Sequence, residues 1–178
     1  MWKSPSYSRW SNEANANNMK ILILEGLDAT GKTTFAATMA VKYGLSVQPS
    51  EGPSKHPGEI DERIQRYLLM DDVIFDRHPA VSQAIYGELR GDEIPSARWV
   101  KEVYLSHPLI IYFDPVIPFG AAHRPGTYDT GSHLTFITEH YDELLLSYRV
   151  WAARHAHVIF RVGANNAHVL ACVENYLR

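Results

Sequence analysis

The chain of 178 residues can bury the core of one domain and is short for two. Its net charge of -3, without a run of basic residues, argues against strong non-specific adhesion to nucleic acid while leaving a local basic groove open. No apolar run is long enough to span a bilayer, no charged-then-apolar leader opens the sequence, and the single cysteine, Cys172, excludes a disulfide within the chain, so a cytoplasmic protein without a membrane partner is expected.

Residues 1–18 are rich in Ser and Asn and follow neither apolar period. They are expected to form a flexible N-terminal extension, with Trp2, Tyr7 and Trp10 available for docking, and 19–178 a single domain. Met19 to Glu25 (MKILILE) reads as a buried parallel strand, and Lys32 to Tyr43 as a helix that stops at Gly44. Between them runs Gly26-Leu27-Asp28-Ala29-Thr30-Gly31-Lys32-Thr33-Thr34. This is Gly, four residues, Gly, Lys, Ser/Thr in the strand-to-helix context that a phosphate-binding loop requires. Gly26 and Gly31 let the backbone wrap an anion, so that successive N–H groups and the positive end of the helix face phosphates. In such a loop Lys32 neutralises the β- and γ-phosphates of ATP, and the Thr33 hydroxyl completes the shell of a magnesium ion between them.

Leu45 to Gln48 reads as a short second strand, and the prolines and glycine of Pro49 to Ser54 demand an irregular loop at its C-terminal end, beside the nucleotide. Ile60, Ile64 and Leu68 mark an amphipathic helix to about Met70, with Glu59, Asp61, Glu62, Arg63 and Arg66 on a solvated face. Val73 to Asp76 is a third buried strand whose terminal carboxylate can hold magnesium or its waters, and Arg77 adds a planar fork suited to phosphate or a hydroxyl. Helices follow from Pro79 to about Leu89 and from Pro95 to Ser106, the latter with Trp99 and Val103 inward. Pro108 to Phe113 is the fourth strand. Residues 116–131 hold two prolines and three glycines without a sustained period and read as a short mobile lid carrying Arg124. Ser132 then looks like the N-cap of one long helix through Leu134, Ile137, Tyr141, Leu144 and Tyr148. His157 to Val162 is a fifth strand and Asn166 to Leu177 a closing helix. Strands alternating with helices predict an α/β fold of three layers around a five-stranded parallel sheet. The nine histidines are scattered, and no pair follows a recognised zinc spacing; of them His78 is expected to touch substrate.

From Met19 onward the sequence resembles the thymidylate kinase-like and deoxynucleoside kinase-like branch of the phosphate-loop kinases, particularly small phage members, which would place it in a host cytoplasm. Glu25 to Thr34 is similar to that family's first signature, including the Glu before the loop and the Asp within it. Asp76-Arg77-His78, with Ser82, Ala84 and Tyr86 after it, resembles the segment bordering the acceptor site. His107 to Asp114 and Phe136 to Tyr148 resemble the strand and helix flanking the lid. The resemblance implies an ATP-dependent kinase with magnesium, with Lys32, Asp76, Arg77 and Arg124 catalytic, and with Arg77, His78 and Tyr86 at the acceptor. The guanine-binding Asn-Lys-x-Asp of GTPases does not occur, and Arg77 stands where a motor-type ATPase commonly carries glutamate.

Two departures bear on the acceptor. Thymidylate kinases grip the acceptor phosphate with an arginine after the second strand, where this chain has Ser50-Glu51-Gly52-Pro53, and Arg124 is the only cation between Phe113 and Arg149 except for histidines. An alcohol must lose a proton during attack, and Glu51 resembles the glutamate that deoxynucleoside kinases use as base at this point. Glu25 and Asp28 compete for that role. A hydroxyl acceptor is therefore favoured, the best match being small phage kinases that phosphorylate the hydroxymethyl group of 5-hydroxymethyluracil in DNA. The base would then be flipped or single-stranded, with Tyr67, Tyr86, Phe119 or Tyr128 to stack on it. A deoxynucleoside monophosphate kinase using Arg63 or Arg66, and a nucleotide-binding module without turnover, stay open, as does the oligomeric state, a homodimer included.

Overall fold

All six residues of β1 (Ile21–Gly26) are buried, because β1 is the middle of the sheet and has neighbours on both sides and both faces. The computed structural model describes residues 19–115 and 131–178. The strands β2 (Ser46–Pro49), β3 (Val73–Asp76), β4 (Leu109–Asp114) and β5 (Val158–Arg161) join β1 in one sheet ordered β2-β3-β1-β4-β5, with every pairing parallel. The chain leaves β1 toward β3 and β2 and later returns past it to β4, so the order reverses beside β1. Ligands of open parallel sheets bind at the carboxyl ends of the strands at such a reversal. Register sets Asp76 opposite Leu24 and Phe113 opposite Gly26, at that same edge.

The two-residue period of β1 sorts its side chains between two cores. Leu22 and Leu24 pack with α1 (Lys32–Tyr43) and α7 (Ala167–Leu177) through Phe35, Met39, Val169 and Val173. Ile21 and Ile23 meet α2 (Glu59–Tyr67) through Ile60 and Ile64, and α4 (Ala97–Leu105) through Val103. A third cluster joins α3 (Pro79–Arg90) to α5 (Gly131–Glu139) and α6 (Tyr141–His155) through Ile85, Tyr86, Ile137, Leu144 and Tyr148. None of the helices among the described residues is long and apolar enough to cross a membrane.

Two sequence expectations need correction. The long helix predicted from Ser132 starts at Gly131 and is two helices, interrupted at His140 (φ -110°, ψ 18°). Backbone bonds run through the break, His140 N–H to Phe136 O at 3.0 Å and Leu144 N–H to His140 O at 2.9 Å, so the apolar spacing survives it. Arg63, expected on a solvated face, is only 3% exposed. It lies in the core edge because it ties down the loop after β2, as described below. The expected extension 1–18 and nearly all of the expected lid, Phe119, Arg124 and Tyr128 included, fall outside the described residues.

Candidate active site

The β1–α1 loop turns on backbone conformations that few residues accept. Gly26 has φ 135°, Ala29 φ 58° and Gly31 φ 87°. A Cβ on Gly26 would stand 2.5 Å from the Phe113 carbonyl oxygen, so β4 presses directly on the loop's first residue. Gly31 is the N-cap of α1, and no acidic residue sits in the first turn of that helix, leaving its amide end electropositive. Leu27 is packed into the third core cluster. Lys32 is buried, and its ammonium donates to Leu27 O at 2.5 Å and to Thr30 Oγ1 at 3.1 Å, while Thr30 Oγ1 also donates to Leu27 O at 2.9 Å. The loop is thus braced from inside. Burial, and then the nearby Arg77 charge, push the Lys32 ammonium down to about 7, against the pull of Asp28, Asp76 and Glu25.

Thr33, exposed at the start of α1 beside the exposed Thr34, donates its hydroxyl to Asp76 Oδ2 at 2.5 Å, joining the loop to the end of β3. Arg77 follows in a left-handed conformation (φ 73°), its N–H bonded to Leu24 O at 3.0 Å. Its guanidinium bonds Asp28 Oδ1 at 2.6 Å and lies 5.0 Å over the Tyr86 ring. Tyr86 donates to Asp28 Oδ2 at 3.1 Å. Burial raises the Asp28 carboxyl, but Arg77, His133 and Lys32 outweigh it and hold the group well below the usual range. The β1–α1 loop and the β3–α3 turn are therefore locked together by charge.

Glu25 closes this structure from beneath. The strand's alternation turns it to the α6 side, where it is fully buried and accepts from the His78 amide at 2.7 Å and the Tyr148 hydroxyl at 3.2 Å. Burial drives its carboxyl up from 4.5 to about 7, against the His78 amide and the charges of Arg77 and Lys32. The folded protein then holds this proton at pH values where the unfolded chain has released it. Its stabilising contribution is full below 4.5 and is lost as pH rises toward 7. Melting curves from pH 4.5 to 7 are expected to show wild type losing ground steadily to Glu25→Gln; parallel curves would contradict this assignment.

Beside Arg77 a small open pocket is lined by Ser50, Glu51, Tyr67, Ser82 and Gln83, among others. Glu51 Oε1 accepts from Tyr67 Oη and from Arg66 Nη2, each at 2.5 Å, and Oε2 is 3.7 Å from Arg63 Nε. Burial raises the Glu51 carboxyl, yet these donors win and lower it. Arg63 donates to Gly52 O at 2.6 Å and Pro53 O at 3.1 Å and pairs with Glu59, and Gln83 also donates to Gly52 O at 3.0 Å. Together they fix the loop that carries Glu51.

His78, expected to touch substrate, is buried, as are Tyr86 and Tyr67, two of the aromatics available for stacking. His78, 2% exposed, accepts the Ala80 amide at Nδ1 as N-cap of α3 and packs on Phe75; burial pushes its imidazole down to about 3, so it stays neutral. Tyr86 is 4% exposed and supports Asp28 and Arg77, and Tyr67, 2% exposed, stacks on Phe75. His78 and Tyr86 are turned to the core and to Asp28, whereas Tyr67 lines the Glu51 pocket with its hydroxyl on the carboxylate. Gln83, Arg90 and His133 stand at or beside the site and were missed. Gln83 could have been found by its place on the same helical face as Pro79, Ser82 and Tyr86.

This strand order, with a glycine-bounded loop between β1 and α1, is the phosphate-loop kinase fold. No protein-family model and no curated protein matches the sequence. Solved structures do. The YorR protein of Bacillus subtilis, in complex with phosphorylated GDP, aligns with TM-score 0.67 and 20% identity over 89% of this chain and 95% of its own. Deoxyadenosine kinase of M. mycoides, with products dCMP and dCDP bound, aligns with TM-score 0.54 and 14% identity over 88% of this chain and 97% of its own. At such identities the likeness is one of fold.

Proposed function

We propose that this protein is an ATP-dependent kinase that passes the γ-phosphate to a hydroxyl of a thymine-type nucleoside or modified base. One observation carries the reading: the pocket holding Glu51 shares Arg77 with the phosphate loop, through the 2.6 Å pair to Asp28. Donor and acceptor sites then have a common wall. Lys32 would exchange its bonds to Leu27 O and Thr30 for phosphate oxygens, and the loop amides would bind the remaining charge. The Thr33–Asp76 pair supplies two hard oxygen donors, and among the described residues no group of three or more His, Cys, Asp or Glu is arranged to hold a metal. Thr33 and Asp76 would hold a magnesium ion brought by the nucleotide, and the ion would supply positive charge beside the transferring phosphate.

Among the described residues, the arginines around the Glu51 pocket favour a neutral acceptor group. Arg63 is spent on Glu59 and two loop carbonyls, Arg66 on Glu51, and Arg77 on Asp28. An incoming monophosphate needs a cation free to meet it, whereas a hydroxyl needs an acceptor for its proton. Glu51, kept ionised, is suited to orient that hydroxyl and take the proton late, as a loose transition state requires. The hydroxymethyl group of 5-hydroxymethyl-deoxyuridine in DNA is the acceptor that the sequence resemblance points to.

Labelled ATP supplied with thymidine, thymidylate, or DNA containing 5-hydroxymethyluracil tests this. Label on a hydroxyl of the DNA base or nucleoside supports the proposal, thymidine diphosphate supports a monophosphate kinase, and nucleotide binding without transfer leaves a non-catalytic module. Glu51→Gln is expected to lower turnover by about 10²-fold with ATP affinity unchanged. Unchanged turnover would remove Glu51 from the mechanism.

A further inference from the structure

Arg90, the last residue of α3, is distinguished from the other arginines near the site by its partners. Its Nη2 donates to His133 Nδ1 at 2.7 Å, and its guanidinium lies 4.4 Å from the centre of the Phe136 ring and 5.5 Å from that of Tyr86. No ion pair joins it to a carboxylate among the described residues, whereas Arg63, Arg66, Arg77 and Arg149 each have one. Because Nδ1 of His133 accepts, Nε2 carries the proton, and it faces Asp28 Oδ2 of the phosphate loop at 3.7 Å. Arg90 is thus one side chain away from the loop, oriented by an imidazole and two ring faces. Those partners fix its direction without neutralising its charge. A guanidinium has five N–H donors, and among the described residues His133 alone accepts from this one.

We propose that Arg90 is an anion-binding residue, oriented by His133, which takes a phosphate group of a bound nucleotide. A phosphate presents oxygens that a planar guanidinium can bind in two parallel bonds, and among the described residues no carboxylate competes for Arg90. Two sources fit: the phosphate being transferred from the donor, and a phosphate carried by the acceptor away from its reacting hydroxyl. Arg90 is not among the residues lining the Glu51 pocket, so in the second case it would read an acceptor as nucleotide rather than nucleoside. The inference rests on the phosphotransfer reading and adds a binding group to it.

The test is calorimetric binding of three probes, a non-hydrolysable ATP analogue with magnesium, thymidylate and thymidine, to wild type, Arg90→Gln and Arg90→Lys. Melting temperatures of the variants check that α3 and α5 remain packed. Arg90→Gln is expected to weaken one phosphate-bearing probe about tenfold or more, with partial recovery in Arg90→Lys and no change for thymidine. Loss confined to the ATP analogue assigns the group to the donor, and loss confined to thymidylate assigns it to the acceptor. If wild type binds the phosphate-bearing probes and Arg90→Gln binds them equally, the inference fails while the phosphotransfer reading stands. If wild type binds none of the probes, both fail.

Discussion

Replacing Lys32 with Met is expected to lower turnover by at least about 10² to 10³-fold while leaving the fold intact. Lys32 is 5% exposed and sits inside the loop that would surround the phosphates, so its charge would act there with little screening by solvent. Deleting it removes a buried cation whose charged form is already disfavoured by burial and by Arg77. The carbonyl it serves keeps a donor, because Thr30 Oγ1 still bonds Leu27 O at 2.9 Å. Methionine fills nearly the same volume. The melting temperature is therefore expected to stay level or rise as activity disappears. Steady-state kinetics beside a thermal melt checks both halves, and wild-type turnover in this variant would refute the role given to the loop.

Gly26→Ala is expected to act on stability first. At φ 135° the added Cβ is strained whatever the space, and it would also meet the Phe113 carbonyl oxygen at 2.5 Å. That oxygen belongs to the backbone of β4, which pairs with β1 in the sheet centre and cannot move aside alone. A loss of about 2–4 kcal/mol, or roughly 5–15 °C in melting temperature, is expected for a domain of this size. Gly31→Ala is the informative comparison. Gly31 also has a left-handed φ of 87°, but nothing lies within 4 Å of its added Cβ, so the cost reduces to backbone strain of about 1–2 kcal/mol. Equal losses in the two variants would mean that contact with β4 does not set the loop's position.

The parts legible in the sequence are those written locally. Apolar runs mark five strands in nearly their observed places, and the Gly-x4-Gly-Lys-Thr spacing, set between a strand and a helix, is enough to locate the loop. Asp76 is legible as a carboxylate ending a buried strand. The parts that escape depend on contacts distant in sequence. Arg63 looks like one more charge on a polar helical face, and its burial follows from the Gly52 and Pro53 carbonyls needing donors, which no periodicity reveals. Glu25 and Tyr148 meet across 123 positions, so the buried carboxylate beneath Arg77 is visible as a signature residue but not as a structural one. Asp28 is legible as part of the loop, whereas its neighbours Tyr86 and His133 reach it from two further helices. His78 misleads for a simpler reason. Next to Arg77 in sequence, it points into the core because the left-handed turn at Arg77 sends the two side chains in different directions.

Calorimetric titration of wild type and Lys32→Met with magnesium and a non-hydrolysable ATP analogue tests the central claim most directly. Wild type is expected to bind one equivalent and, above pH 7, to take up protons from the buffer as phosphate restores the charge on Lys32, while the variant loses most of the affinity. No heat with wild type in the presence of magnesium, or the same isotherm for both proteins, would contradict the claim that this loop holds a triphosphate for transfer.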